Sequence, residues 1–106
     1  MSYEEAMETV RAYVSERGWA EFHTEENLAK SISIEAGELL QLFQWNGEYD
    51  IAALEDELAD VLTYAYLLAD RLGRDPNRMV IDKAAKTREK YPVVKSFGVS
   101  TRYDQL

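Results

Sequence analysis

At 106 residues the chain fits a single domain and leaves no room for a separate cofactor-binding domain. Its 20 acidic residues outnumber 12 basic ones, and the resulting net charge of −8 repels phosphate backbones and anionic surfaces, which argues against duplex nucleic acid or a membrane as partners. With no cysteine, neither a disulfide framework nor a thiolate metal site can form, and one histidine excludes a multi-histidine zinc site within one chain.

The hydrophobic fraction of 46% is that of a folding chain, and so small a core favours a homo-oligomer that covers further apolar area. The N-terminus is polar and acidic, and no apolar run approaches the ~20 residues of a membrane span, so a cytoplasmic protein is expected.

Ser2-Tyr3-Glu4-Glu5 has the form of a capping box, and Tyr3, Met7, Val10 and Val14 then recur at helical spacing until Gly18. The connector Gly18-Trp19-Ala20-Glu21-Phe22-His23 is rich in aromatic side chains. Trp19 and Phe22 either contribute to a pocket or plug the bundle end, and His23 by itself reads as a loop or capping histidine. Thr24 can cap a second helix running from about Glu25 to Trp45, with Leu28, Ile32, Ala36, Leu39 and Phe43 on one face and Asn46-Gly47 as its stop. Gly37 in its interior costs about 1 kcal/mol of helix propensity and points to close approach by another element.

Asp50 can cap a third helix continuing through Leu54, Leu58, Val61, Ala65 and Leu68 to Gly73. Asp75-Pro76 opens a fourth, ending near Lys90 before Tyr91-Pro92. This last helix is basic, either as a solvated face that balances the acidic helices or as a binding surface. Residues from Val93 to Leu106 read as an extended tail. The expected fold class is therefore all-α, a four-helix bundle assembled as an oligomer.

Glu35 and Glu38 lie one turn apart, as do Glu57 and Asp60, with Tyr64 on the same stripe as the second pair. If the second and third helices lie side by side, four carboxylates converge. Crowded carboxylates raise one another's pKa, and oxygen-only ligands suit Mg²⁺ or Mn²⁺ better than zinc or copper. Such a cation polarises phosphoryl groups and neutralises a leaving pyrophosphate, while a carboxylate not fully used as ligand acts as general base, so phosphoanhydride hydrolysis is the natural chemistry. The alternative is a network of salt bridges from these acids to the basic fourth helix.

Glu35-x-x-Glu38 and Glu57-x-x-Asp60, with Trp19-Ala20-Glu21-Phe22-His23, Asn27-Leu28, the run from Glu35 to Trp45, Glu57 to Tyr64, Lys83 and Lys90-Tyr91-Pro92-Val93, resemble the all-α nucleoside triphosphate pyrophosphohydrolases of the MazG-like superfamily. Within it the chain is most similar to the dCTP pyrophosphatases. The resemblance implies a bundle working as a homodimer or homotetramer that hydrolyses a nucleoside triphosphate to the monophosphate and pyrophosphate. It implies Glu35, Glu38, Glu57 and Asp60 as Mg²⁺ ligands, with Glu35 or Glu38 as general base.

It also implies Trp19, His23 and Trp45 on the base side of the pocket, Tyr64 beside the metal, Lys83 and Lys90 on phosphates, and Thr87 and Tyr91 within the substrate-binding set. Thr87 is a departure, because it stands where the resemblance leads to asparagine and lacks an amide that donates and accepts at once; base and sugar preference stay open on it. A relaxed-specificity pyrophosphatase and a non-catalytic helical interaction module are the competing readings.

Overall fold

The computed structural model describes residues 1–45 and 47–106. Five α-helices appear among them, α1 (Tyr3–Glu16), α2 (Glu25–Gln41), α3 (Ile51–Arg71), α4 (Pro76–Lys90) and α5 (Val93–Ser96), with 3₁₀ turns at Ala20–Phe22 and Tyr103–Gln105 and no strand. The all-α expectation holds. The count of four does not, because the tail folds into α5 and a 3₁₀ turn. A four-residue helix has too few positions to show a period, so nothing in the pattern announces it.

Each long helix starts where a short polar side chain can satisfy a free amide. Ser2 accepts from the Glu5 N–H at 3.2 Å, Thr24 from Asn27 at 3.1 Å, Asp50 from Ala52 at 3.2 Å and Asp75 from Asn77 at 2.9 Å. Helices α1 and α3 are followed by Gly18 and Gly73, at φ of 65° and 67°, a left-handed conformation that a Cβ disfavours.

The second helix ends at Gln41, short of the expected Trp45. From Leu42 to Gln44 the amides bond three residues back, Phe43 to Leu40 at 3.0 Å and Gln44 to Gln41 at 3.1 Å, so the last turn tightens and leaves the α-helical path. The Phe43 ring then meets Tyr49 with centroids 4.9 Å apart, bracing the connection to α3. The stop expected at Asn46-Gly47 falls in part on residue 46, outside the described residues.

Two compact units are distinguished, Met1–Gly73 and Arg74–Leu106. In the first, α2 packs extensively on α3, and the core joins Met7, Val10 and Val14 of α1 to Leu28 of α2 and Leu67 of α3. Tyr3, Tyr13, Tyr64 and Tyr66 close around it, Tyr3 standing edge-on to Tyr66 at 5.2 Å. At 1.5 Å per residue α1 is about 21 Å long and α3 about 31 Å, so α1 covers only part of its neighbour. Leu58 and Leu62 of α3 and Ile34 and Leu40 of α2 consequently stay exposed. Arg11 grips Asp70 through two hydrogen bonds and ties α1 to α3, while Arg71 Nε donates to Glu25 Oε1 at 2.7 Å and ties α3 to the start of α2.

In the second unit α4 carries an i,i+4 ion pair, Arg78 to Asp82 at 3.1 Å. Pro92 starts α5, where the Lys95 and Ser96 amides both bond to the Pro92 carbonyl. Met79, Val80, Ile81, Val94 and Phe97 are all exposed. Among the described residues no helix is long and apolar enough to cross a membrane.

Candidate metal centre and substrate residues

The one-turn spacing of Glu35 and Glu38 on α2 and of Glu57 and Asp60 on α3 places each pair on one stripe, and packing of α2 on α3 brings the stripes together. Carboxylate oxygens of Glu35, Glu57 and Asp60 all lie within 4.8 Å of one another. Glu38, more exposed at the rim, is near enough to contribute to the raised pKa of both Glu35 and Glu57. Within the first unit none of the four is in an ion pair among the described residues.

Glu35 Oε2 and Glu57 Oε2 are buried without any hydrogen-bond partner. A buried, unpartnered carboxylate oxygen is unfavourable, and here two neighbouring residues each carry one. Burial, then the Glu38 carboxyl group, then the charges of Glu38, Asp60 and Glu57 push Glu35 up to about 7. Glu57 is raised by burial first and next by the charges of Glu38 and Asp60. An all-oxygen, strongly negative, partly dry cluster with orphaned acceptors fits a hard divalent cation.

Tyr64 packs on the core below the cluster, and burial, Glu35, Tyr13 and Asp60 together raise its hydroxyl above the ordinary value, which keeps it a proton donor.

The aromatic connector is arranged differently from the plug reading. Trp19 and Phe22 are both exposed; Trp19 sets its ring edge-on to Tyr13 at 6.3 Å with the Arg17 guanidinium 5.7 Å above it. Asn27 Nδ2 donates to the Phe22 carbonyl at 2.9 Å and holds the 3₁₀ turn against the start of α2. His23 is half-buried and borders a cavity of about 590 Å³ with Arg11, Leu28, Leu67, Asp70 and Arg71, and none of the four acids lines it. Trp45, beyond the end of α2, is 85% exposed. Gly37 faces open space among the described residues of its unit, since a Cβ there would meet nothing within 4 Å, so no close approach is seen there.

In the second unit Lys83 and Thr87 border a shallow depression of about 580 Å³ with Met79, Val80, Ala84 and Arg88. The Thr87 hydroxyl donates to the Lys83 carbonyl at 3.1 Å, so its proton is engaged by its own helix and only its lone pairs face outward. Lys90 and Tyr91 both contact the ring of Tyr103, a residue that no periodicity or motif spacing singles out.

Fold and site together define an all-helical protein with an acidic centre built from two helical carboxylate pairs. The chain belongs to the MazG-like family, whose model matches residues 30–106, a span running through both compact units. It is similar to dCTP pyrophosphatase 1 of Rattus norvegicus, 38% identical over 104 residues, which span 89% of this chain and 61% of that relative. The Bos taurus dCTP pyrophosphatase 1 is 34% identical over 119 residues, 99% of this chain and 70% of that protein. Among solved structures it is similar to a pyrophosphatase from Archaeoglobus fulgidus DSM 4304, with a TM-score of 0.77, 40% identity, and coverage of 84% of this chain and 91% of that one. The chain thus spans about three fifths of the length of the rat relative.

Proposed function

We propose that this chain, acting as one MazG-like domain, hydrolyses a nucleoside triphosphate to the monophosphate and pyrophosphate. Its cation is Mg²⁺ or Mn²⁺, its substrate dCTP or a related or modified pyrimidine deoxynucleotide, and its role the cleaning of the cytoplasmic nucleotide pool. The observation that carries this reading is the meeting of Glu35, Glu57 and Asp60 oxygens within 4.8 Å, two of these residues each holding a buried oxygen with no partner. The names printed for its relatives, dCTP pyrophosphatase 1 and pyrophosphatase, agree with it.

Glu35, Glu38, Glu57 and Asp60 hold the cation. When bound, it supplies polarisation of the phosphoryl oxygens and neutralises charge on the departing pyrophosphate. Glu35 or Glu38 takes the proton from the attacking water as general base; burial and then the neighbouring carboxyl group raise Glu35 toward neutrality. Tyr64 lies beside the metal site with its hydroxyl protonated. Trp19, His23 and Trp45 take the base side by stacking, which gives affinity with little selectivity. Lys83 and Lys90 meet phosphates, with Tyr91 and Thr87 alongside. Because the Thr87 proton is engaged within α4, this side chain offers the substrate an acceptor only, and relaxed specificity is the alternative to the dCTP reading.

The chain works as a homodimer or homotetramer. Leu40 at 71% exposure and Trp45 at 85% in the first unit, and Val94 and Phe97 in the second, are apolar side chains that a second copy covers. The deciding experiment offers the protein, with Mg²⁺ and with Mn²⁺, a panel of canonical and modified deoxy- and ribonucleoside triphosphates and identifies the products. Release of pyrophosphate, with dCTP or a modified relative turned over fastest, is the expected result. No pyrophosphate from any triphosphate overturns the reading.

A further inference from the structure

The 3₁₀ turn Tyr103–Gln105 brings the Tyr103 ring to the C-terminal end of α4. Lys90 Nζ lies 4.6 Å from the ring centroid, and Tyr91 meets the same ring edge-on at 6.1 Å and 73°. The Arg102 guanidinium approaches the ring at 5.9 Å, but its Nε is paired with Asp104 Oδ1 at 3.3 Å. Lys90 has no carboxylate within ion-pair distance among the described residues. Of the two cations on this ring, Lys90 alone keeps its charge uncompensated.

The kind of partner matters. A carboxylate would hold the lysine and cancel its charge, whereas an aromatic face attracts the cation through its quadrupole and leaves the full positive charge and the N–H donors available. Lys90 is also the last residue of α4, where unpaired helix carbonyls compete for a flexible ammonium. The ring of Tyr103 counters that competition, and Tyr91 fixes the ring's tilt.

We infer that Tyr103 is a positioning residue for phosphate binding: it holds the Lys90 ammonium in place, charged and uncompensated, to receive a phosphate of the triphosphate substrate. This rests on the pyrophosphohydrolase reading and on Lys90 as a phosphate contact. It assigns the C-terminal turn, which otherwise reads as a passive tail, to the substrate-binding apparatus.

The test is steady-state kinetics on dCTP with full-length Tyr103→Ala, Tyr103→Phe, Lys90→Met and the Lys90→Met/Tyr103→Ala double variant. Tyr103→Ala should raise KM roughly two- to five-fold, the scale of an exposed cation–π contact, with kcat unchanged. Tyr103→Phe keeps the aromatic face and should keep the wild-type KM. The double variant should match Lys90→Met alone, because the ring acts only through the lysine. A raised KM in Lys90→Met beside a wild-type KM in Tyr103→Ala overturns the inference and leaves the pyrophosphohydrolase reading standing. Equal losses in Tyr103→Phe and Tyr103→Ala also overturn it. An unchanged KM in Lys90→Met removes Lys90 from the site and the inference with it, whereas absence of turnover in the wild type marks failure of the underlying reading.

Discussion

Glu35 on α2 and Glu57 on α3 each bury a carboxylate oxygen that has no hydrogen-bond partner, and oxygens of the two lie within 4.8 Å of each other. Two like charges at this range are relieved by a proton or by a cation. The same pair therefore ties together the stability of the bundle, its response to pH and its proposed chemistry.

Replacing Glu38 by Gln or Asp60 by Asn removes a ligand charge while preserving shape. Each substitution should lower pyrophosphate release by more than about 100-fold, the scale on which groups that stabilise developing charge act. Helical circular dichroism should be unchanged, since both side chains are exposed at the rim. Two active variants with wild-type rates would refute the metal assignment.

Stability should depend on pH in a direction opposite to that of a salt-bridged acid. Glu35 is raised from 4.5 to about 7, so between these values the folded state keeps a proton that the unfolded chain has released. In the absence of divalent cations the melting temperature should therefore fall as pH rises from about 5 to about 8. Millimolar Mg²⁺ should raise it most at the upper end, where cation replaces proton. Differential scanning calorimetry with and without EDTA measures both. A flat response to Mg²⁺, with or without a nonhydrolysable triphosphate, would favour the helical interaction module.

Gly37→Ala probes whether a second chain passes over α2. Among the described residues a Cβ there meets nothing within 4 Å, and the φ is not in the left-handed region. Helix propensity alone then stabilises the variant by about 1 kcal/mol. Chemical denaturation read together with light scattering separates this from the other outcome, a destabilised variant of lower mass, which would place an oligomer contact on this glycine.

Leu28 is 1% exposed and joins α2 to both neighbours in the core. Leu28→Ala should cost about 2–5 kcal/mol of unfolding free energy through lost transfer and a residual cavity. It should weaken Mg²⁺ binding indirectly, because α2 carries half of the acidic cluster. A loss below about 1 kcal/mol in urea titrations would mean that the core is less cooperative than its packing implies.

Local chemistry was legible without coordinates. Ser2, Thr24, Asp50 and Asp75 cap the long helices because a cap is made within three residues of the side chain that makes it, and Gly18 and Gly73 end helices because a left-handed residue needs no distant partner. The stripes Glu35/Glu38 and Glu57/Asp60 follow from helical periodicity alone.

What depends on contacts between distant segments was not legible. The early end of α2 is set by a tightened turn and by Phe43 meeting Tyr49, and the exposure of Trp19 and Phe22 by how the 3₁₀ turn is tied to α2. Spacing shows that two carboxylate pairs exist on two helices; only the packing of α2 on α3 decides that their oxygens meet and that two of them are stripped of partners. Tyr103 marks the same boundary, since twelve residues of chain separate it from Lys90 and a cation–π contact across that distance leaves no periodic trace. Hydrogen-bond caps and helical stripes are short-range and so are written residue by residue, whereas desolvation and charge convergence are properties of surfaces that exist only once the helices have packed.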